Sequence, residues 1–350
     1  MDLMKGVSAQ TVTTDRLRTH FYSAGPEDGT PIVMIHGNLS SGRFFEHLLA
    51  EAPDGYRLIA PDMRSFGRSA PKPIDATRGL EDWADDTKAL LDALSIDQAP
   101  HLVGWSTGGA AIASYAMKHP VASLCLIDPV SPYGFGGTHP DGTPCYPDWA
   151  GTGGGTGNPE LVQRINDGDR STESPVSPRN VMTSAYWSAG YQMPPEREEI
   201  LLDELLLSVT GDDGYPGDST PSDNWPGMAP GTRGIVNALS GKYCNWSGLV
   251  DLAVKPPVLW TQGGGDIVVA DGSFWEMGTL GQIELVPGWP GEDVFPPQAM
   301  VTQIREVLES YEATGGRVTV EMFEDSGHGP HLDAAERWLE IFFGFLSSIR

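Results

Sequence analysis

The sequence predicts an α/β protein: a mostly parallel sheet with helices on both faces, interrupted by one partly helical insertion. Three observations predict it. From about residue 16 to 130, short apolar, β-branched runs alternate with amphipathic stretches in a strand–helix rhythm. At Ser131 the composition turns to Gly, Pro, Asp and Ser and stays so to about residue 250. At Pro256-Pro257-Val258-Leu259-Trp260 the apolar strand signature resumes, and the chain closes on an amphipathic helical pattern.

The elements follow in order. RLRTHFYSAG reads as an early strand, PIVMIHG as a buried one and RLIAPDM as another. LEDWADDTKALLDALSI is a helix with Trp83, Leu90, Leu91 and Leu94 on one face and its Asp and Glu residues on the other. HLVGWS runs as a strand straight into the helix TGGAAIASYAMKHP, and VASLCLIDPV is a fully apolar strand. Within 131–250, EREEILLDELLLSVTG is helical, so the segment reads as an inserted subdomain on a core formed by 1–130 and 251–350. RVTVEMFEDSGHGPH is a strand and loop, and DAAERWLEIFFGFLSSI the final helix.

Composition narrows the function. The chain has 350 residues, 39% hydrophobic, enough for a sizeable core, and its ten Trp, ten Tyr and eleven Phe exclude wholesale disorder. With 47 Asp and Glu against 22 Lys and Arg, the net charge of −25 opposes binding to phosphate backbones and anionic membranes. Cys125, Cys145 and Cys244 show no CxxC or Cys/His spacing, which argues against a disulfide framework or structural zinc. The first residues, MDLMKGVSAQTVTTDR, carry no apolar core or cleavage site, and no apolar run reaches about 18 residues. A cytoplasmic protein with a small-molecule substrate, no nucleic-acid or membrane partner, no cofactor and no metal is expected; a homo-oligomer is left open.

Four groups of residues could do chemistry. Gly104-Trp105-Ser106-Thr107-Gly108 sits where a strand meets a helix, and glycines on both sides of the serine allow the sharp turn that exposes a nucleophile. His36-Gly37-Asn38 ends the strand PIVMI. The N–H of Thr107 and that of Asn38, with Leu39 second, are the natural donors to an oxyanion. His328, between glycines in DSGHGPH, is the base, and Asp266, after GGG, the carboxylate that orients it. His331 and Asp128 are their respective rivals. The glycine run 151–158 fits no G-x-G-x-x-G register, and Asp212, Asp213, Asp218 and Asp223 match no calcium loop. Asn38-Leu39-Ser40 and Asn245-Trp246-Ser247 are glycosylation sequons by spelling only.

These motifs, with Pro61-Asp62-Met63-Arg64-Ser65-Phe66-Gly67-Arg68-Ser69 and Gly327-His328-Gly329-Pro330, occur in an order that resembles the α/β-hydrolase superfamily. The resemblance covers 16–130 and 251–350, with 131–250 as an inserted cap. It implies the α/β-hydrolase fold, a Ser106–His328–Asp266 triad in the order Ser, Asp, His, and a serine hydrolase without metal or organic cofactor. A serine at the elbow separates the chain from the aspartate-nucleophile branches. Ser65 stands where a glycine is usual, and the glycine run before Asp266 is longer than common. The aromatic-rich insertion, which includes Tyr133, Phe135, Tyr146, Trp149, Tyr186, Trp187, Tyr191, Trp225 and Trp246, points to a neutral, fairly hydrophobic ester or lactone. A carbon–carbon bond hydrolase or a receptor-like binding protein are the alternatives.

Overall fold

The computed structural model describes residues 2–349. Among them, eight strands form one sheet: β1 (Ser8–Thr13), β2 (Arg18–Ala24), β3 (Thr30–Ile35), β4 (Tyr56–Pro61), β5 (His101–Trp105), β6 (Ser123–Ile127), β7 (Val258–Gly263) and β8 (Val318–Phe323). Their order is β1-β2-β4-β3-β5-β6-β7-β8; β1 with β2 and β2 with β4 are antiparallel, and the remaining pairs are parallel. The central strands β4, β5, β6 and β7 are almost wholly buried. That is why they read as continuous apolar runs rather than alternating ones. β1, which the sequence reading did not assign, is an exposed edge of alternating polar residues.

Register positions the chemistry. Ile35 pairs with Gly104, Trp105 with Ile127, Ile127 with Thr261, and Gly263 with Phe323. The residues that leave the carboxyl ends of these strands therefore emerge along one edge, where open parallel sheets place their ligands.

Helix α1 (Glu81–Ala93) buries Trp83, Leu90 and Leu91 as its spacing predicts, with Leu94 at its end half-buried. Its acidic face is not solvated throughout, however: Asp82 and Asp86 are buried. Arg64 donates to both carboxylates of Asp86 and Asp82 at 2.6–2.8 Å, and Arg16 reaches the same pair. Burying these acids is tolerable because each is matched by a guanidinium fork. Helix α2 (Thr107–Ala116), almost entirely buried, follows Ser106 directly.

The insertion contains α3 (Pro159–Asn166), α4 (Pro178–Ala185) and α5 (Pro195–Leu206). Each begins with proline in its first turn, and Asn158 and Ser177 cap the first two through their side chains. The α5 residue Glu204 is fully buried against the core, where it accepts from Arg68 at 2.7 Å and from the Ser41 hydroxyl at 2.8 Å. A second excursion, residues 264–299 between β7 and α6 (Met300–Ala313), packs against the insertion. Phe295 lies 5.0 Å from Trp225 and 5.8 Å from Tyr146, ring centre to ring centre, and Gln298 bridges to Gly134 and Gly136. The final helix α7 (Ala335–Ser348) buries Trp338, Phe342, Phe345 and Leu346. No helix of the described residues is long and apolar enough to cross a membrane.

Candidate active site

Ser106 has φ 55° and ψ −116°, a left-handed conformation that costs a non-glycine residue about 1–3 kcal/mol. The surroundings impose it. The Ser106 N–H donates to the Ile127 carbonyl at 2.9 Å, and its own carbonyl accepts from Gly109 at 2.9 Å and Val130 at 3.2 Å. The flanking glycines are needed for space: a Cβ on Gly104 would lie 2.3 Å from the Gly108 carbonyl oxygen, and one on Gly108 only 2.1 Å from that of Ile35. The Ser106 side chain is 7% exposed, and its hydroxyl makes no hydrogen bond among the described residues.

The turn after β3 sits against this elbow. A Cβ built on Gly37 would approach the Ser106 Cβ to 3.2 Å. His36 is fully buried and sets the turn: Nε2 accepts from the Met63 N–H at 3.0 Å, and Nδ1 donates to the Gly37 carbonyl at 2.7 Å. Burial pushes its pKa down to about 4, so it is a neutral spacer and not a base. Of the two amides weighed at this turn, Leu39 N–H is occupied by the Asn38 side-chain oxygen at 3.0 Å. Among the described residues the Asn38 N–H and the Thr107 N–H have no acceptor. Two unspent donors beside the serine, one at a helix N-terminus, are what an oxyanion requires.

His328 and Asp266 meet on the other side. His328 Nδ1 donates to Asp266 Oδ2 at 2.8 Å, with both side chains buried. The other carboxylate oxygen of Asp266 accepts from the Val268 and Val269 amides at 2.7 and 3.0 Å, and Gln262 donates to Oδ2 at 3.2 Å. The long glycine run has a cause here. A Cβ on Gly263 would fall 1.8 Å from the Gly327 carbonyl oxygen, and one on Gly264 2.8 Å from Glu324 backbone. The acid loop and the histidine loop therefore pack backbone against backbone, which only glycine permits. Trp105, next to Ser106, donates its indole N–H to the His328 carbonyl at 2.6 Å and ties the two halves together.

The rivals are placed differently. His331 is fully buried in a box of Phe45, Trp105 and Trp338, with neither ring nitrogen hydrogen-bonded. Burial, with His47 and His328 nearby, drives it well toward the neutral form. Asp128 follows β6 close to the pair, but it accepts from the Gly263 amide at 2.7 Å. Asp128, Asp266 and His328 bring one ligand atom each within 4.8 Å of one another, a spacing that could also receive a cation. Burial and the Asp266 charge push the Asp128 carboxyl well above the usual carboxylate range.

The insertion reaches the site through Tyr186. Its hydroxyl donates to the Asn38 and Leu39 carbonyls at 3.0 and 3.2 Å, and its ring stands edge-on to Trp105 at 5.1 Å. Asp333 clamps the next segment by accepting from the amides of Ser188 and Gly327, both at 2.8 Å. Sequence reasoning missed Gln262 and Asp333 and could not single out Tyr186 from its aromatic neighbours. A groove of about 840 Å³ elsewhere on the surface, bordered by Arg16, Arg64, Lys72, Arg78, Asp82 and Arg233, contains none of Ser106, Asn38, Thr107, Asp266 and His328.

The comparisons agree with this fold. A model of the alpha/beta hydrolase family matches residues 32–341. The chain is 39% identical over 140 residues to a non-heme chloroperoxidase of Streptomyces lividans, covering 38% of this chain and 50% of that protein. It is 37% identical over 107 residues to a 2-hydroxymuconate semialdehyde hydrolase of a Pseudomonas species (30% and 36%). It is 34% identical over 124 residues to a bifunctional esterase/perhydrolase of Acinetobacter calcoaceticus (34% and 44%). In each case the match spans half or less of the relative's length. Among solved structures, a Rhodococcus esterase aligns over 99% of this chain and 100% of its own at a TM-score of 0.58 and 20% identity. A bacterial membrane phospholipase A aligns over 99% and 87% at 0.62 and 19%; at such identity these likenesses concern the fold. With the family model covering most of its length, the chain belongs to the alpha/beta hydrolase family.

Proposed function

We propose that the protein is a serine hydrolase of neutral, fairly hydrophobic carboxylic esters or lactones. The observation that carries the reading is the buried His328–Asp266 hydrogen bond of 2.8 Å, set beside a strained serine with two unspent amide donors. Ser106 attacks the carbonyl carbon while His328 Nε2 takes its proton, and the Asn38 and Thr107 amides hold the oxyanion. Asp266 fixes the Nδ1–H tautomer of His328 and stabilises the imidazolium. His328 then returns the proton to the leaving alcohol, and water attacks the acyl-enzyme with His328 as base again. The Ser106–His328 hydrogen bond forms as substrate seats, since such contacts are often open without substrate.

Trp105 and Tyr186 near the serine, and a net charge of −25, support a neutral apolar substrate. The esterase/perhydrolase relative supports ester chemistry. The second reading, carbon–carbon bond hydrolysis of a vinylogous diketone, draws on the relatives described as 2-hydroxymuconate semialdehyde and 2-hydroxy-6-oxo-6-phenylhexa-2,4-dienoate hydrolases.

A panel of nitrophenyl esters of graded acyl length, an aliphatic lactone and a vinylogous diketone tests these readings. The highest kcat/KM is expected for a neutral ester or lactone of intermediate length, with Ser106→Ala lowering kcat by about 10⁶-fold. Preference for charged or very short acyl groups would contradict the substrate class, and turnover of the diketone alone would move the assignment to the second reading. Ligand affinity that survives Ser106→Ala without any turnover would identify a receptor-like protein.

A further inference from the structure

Two carboxyls, not one, lie behind His328. Asp128, Asp266 and His328 converge within 4.8 Å, and Asp128 is fully buried. The backbone goes out of its way to put Asp128 there. Its φ is 40°, a left-handed value unfavourable for a side chain with a Cβ, held by a hydrogen bond from its N–H to the Thr261 carbonyl at 2.9 Å.

The polar groups around the two carboxyls are unequal. Asp266 accepts from four donors: His328, Gln262 and the amides of Val268 and Val269. Asp128 accepts from one, the Gly263 amide on Oδ1, while its Oδ2 is buried with no partner. Two adjacent buried carboxylates cannot both stay ionised, and the better-solvated one keeps the charge. The donors gathered on Asp266 therefore favour leaving the proton on Asp128. A proton on Asp128 Oδ2 explains the orphan oxygen, because a hydroxyl there is a donor facing an acceptor. The charged groups that face Asp128 are Asp266, from the loop after β7, and Asp333, from the short helix Pro330–Asp333. Both, like burial, favour its neutral form, and the neighbouring titratable group is His328.

We propose that Asp128 and Asp266 form a one-proton carboxyl pair, in which Asp128 is a positioning residue that donates to Asp266 and takes over the negative charge when Asp266 is removed. The step is an ionisation: the proton of Asp128 is released to solvent, the negative charge stays on its carboxylate, and that carboxylate then accepts from His328 Nδ1. The kinetic consequence rests on the hydrolase reading above; the protonation state does not.

The experiment has two arms on the full chain. In the first, infrared difference spectra of wild type against Asp128→Asn at pH 7 are recorded in H₂O and D₂O. A protonated-carboxyl C=O band, shifted by deuterium and absent from the variant, is expected; a wild type without that band overturns the pair whatever its activity. In the second, kcat/KM is measured across pH for Asp266→Ala and for Asp266→Ala with Asp128→Asn. The single variant should lose about 10–100-fold and show an acid limb displaced to higher pH, where Asp128 ionises. The double variant should lose that limb and fall by about 10⁴-fold, the loss of a triad without its acid. Equal rates and equal pH profiles for the two variants overturn the takeover. Should Asp266→Ala not fold, Asp266→Asn replaces it in both kinetic variants, and a wild type inert towards every substrate would fault the hydrolase reading while leaving the band to settle the pair.

Discussion

Replacing Gly108 by Ala strikes the elbow at its tightest point. The new Cβ would lie 2.1 Å from the Ile35 carbonyl oxygen, 2.7 Å from the Ile35 carbonyl carbon and 2.8 Å from the His36 carbonyl oxygen. All three are backbone atoms of β3 and its following turn, so no side-chain rotation relieves the overlap. Ordinary contact begins at 3.4 Å, and the start of α2 must therefore retreat from β3 by roughly 1 Å. Overpacking of this kind costs about 1–3 kcal/mol, of which the higher helix propensity of Ala recovers less than about 1 kcal/mol. The retreat also carries the Thr107 amide away from the Asn38 amide, and a misplacement of that size costs about 10²-fold in rate. The assay is Tm by calorimetry together with kcat/KM on the best ester. Two controls grade the effect. A Cβ on Gly37 meets Trp105 and Ser106 side-chain atoms at 3.2–3.3 Å, and one on Gly190 meets nothing within 4 Å. Losses should rank Gly108→Ala, then Gly37→Ala, then Gly190→Ala. A Gly108→Ala protein with the Tm and rate of Gly190→Ala would refute the close approach on which the site is built.

Further outcomes follow from the buried polar groups. Glu204→Ala removes the buried carboxylate that Arg68, Ser41 and Arg43 share, and should cost about 2–3 kcal/mol in urea unfolding, at the low end for a buried pair because the Arg68 side chain is 42% exposed and Arg43 keeps Glu46; a loss under about 0.5 kcal/mol would show that α5 docks without it. His331→Leu removes a buried ring that makes no hydrogen bond, so stability should change by less than about 1.5 kcal/mol and kcat/KM by only a few-fold, whereas an abolished rate would make His331 the base. His36 has a folded pKa of about 4 against an unfolded value near 6.5, so the unfolded chain binds the extra proton between them. Stability from this group is complete above pH 6.5 and declines by about 3 kcal/mol as pH falls through 4, with His47, also lowered to about 4, acting in the same direction. Urea midpoints at pH 7 and pH 5 measure it, and equal midpoints would contradict it.

Much of the candidate site is legible in the sequence because its constraints are local. Glycine at 104 and 108 is demanded by backbone contacts within a few residues of Ser106, and such contacts leave a sequence signature. The order Ser106, Asp266, His328 was readable because each follows a strand of recognisable apolar character. What escaped depends on partners far along the chain. Asp82 and Asp86 look like the wet face of an amphipathic helix, and Arg64 and Arg16, brought in by the fold beside the neighbouring Arg78, make their burial tolerable. Tyr186 is one of many aromatics in the insertion, and its hydroxyl finds Asn38 across 148 positions. The excursion 264–299 is rich in Gly, Pro and polar residues, so no periodicity announced that it would pack against the insertion. Ser65 shows the reverse case: it adopts φ 67°, the left-handed value for which glycine is the easier residue, and its hydroxyl donates to the Lys72 carbonyl at 2.8 Å.

The central claim is that Ser106 is a nucleophile activated by His328, and covalent labelling tests it most directly. The protein is treated with a fluorophosphonate, its intact mass is measured, and the adduct is mapped by peptide digestion. One stoichiometric adduct on Ser106, lost in His328→Ala, is the result the account predicts. Folded protein that takes up no label, or labels equally in His328→Ala, would contradict it.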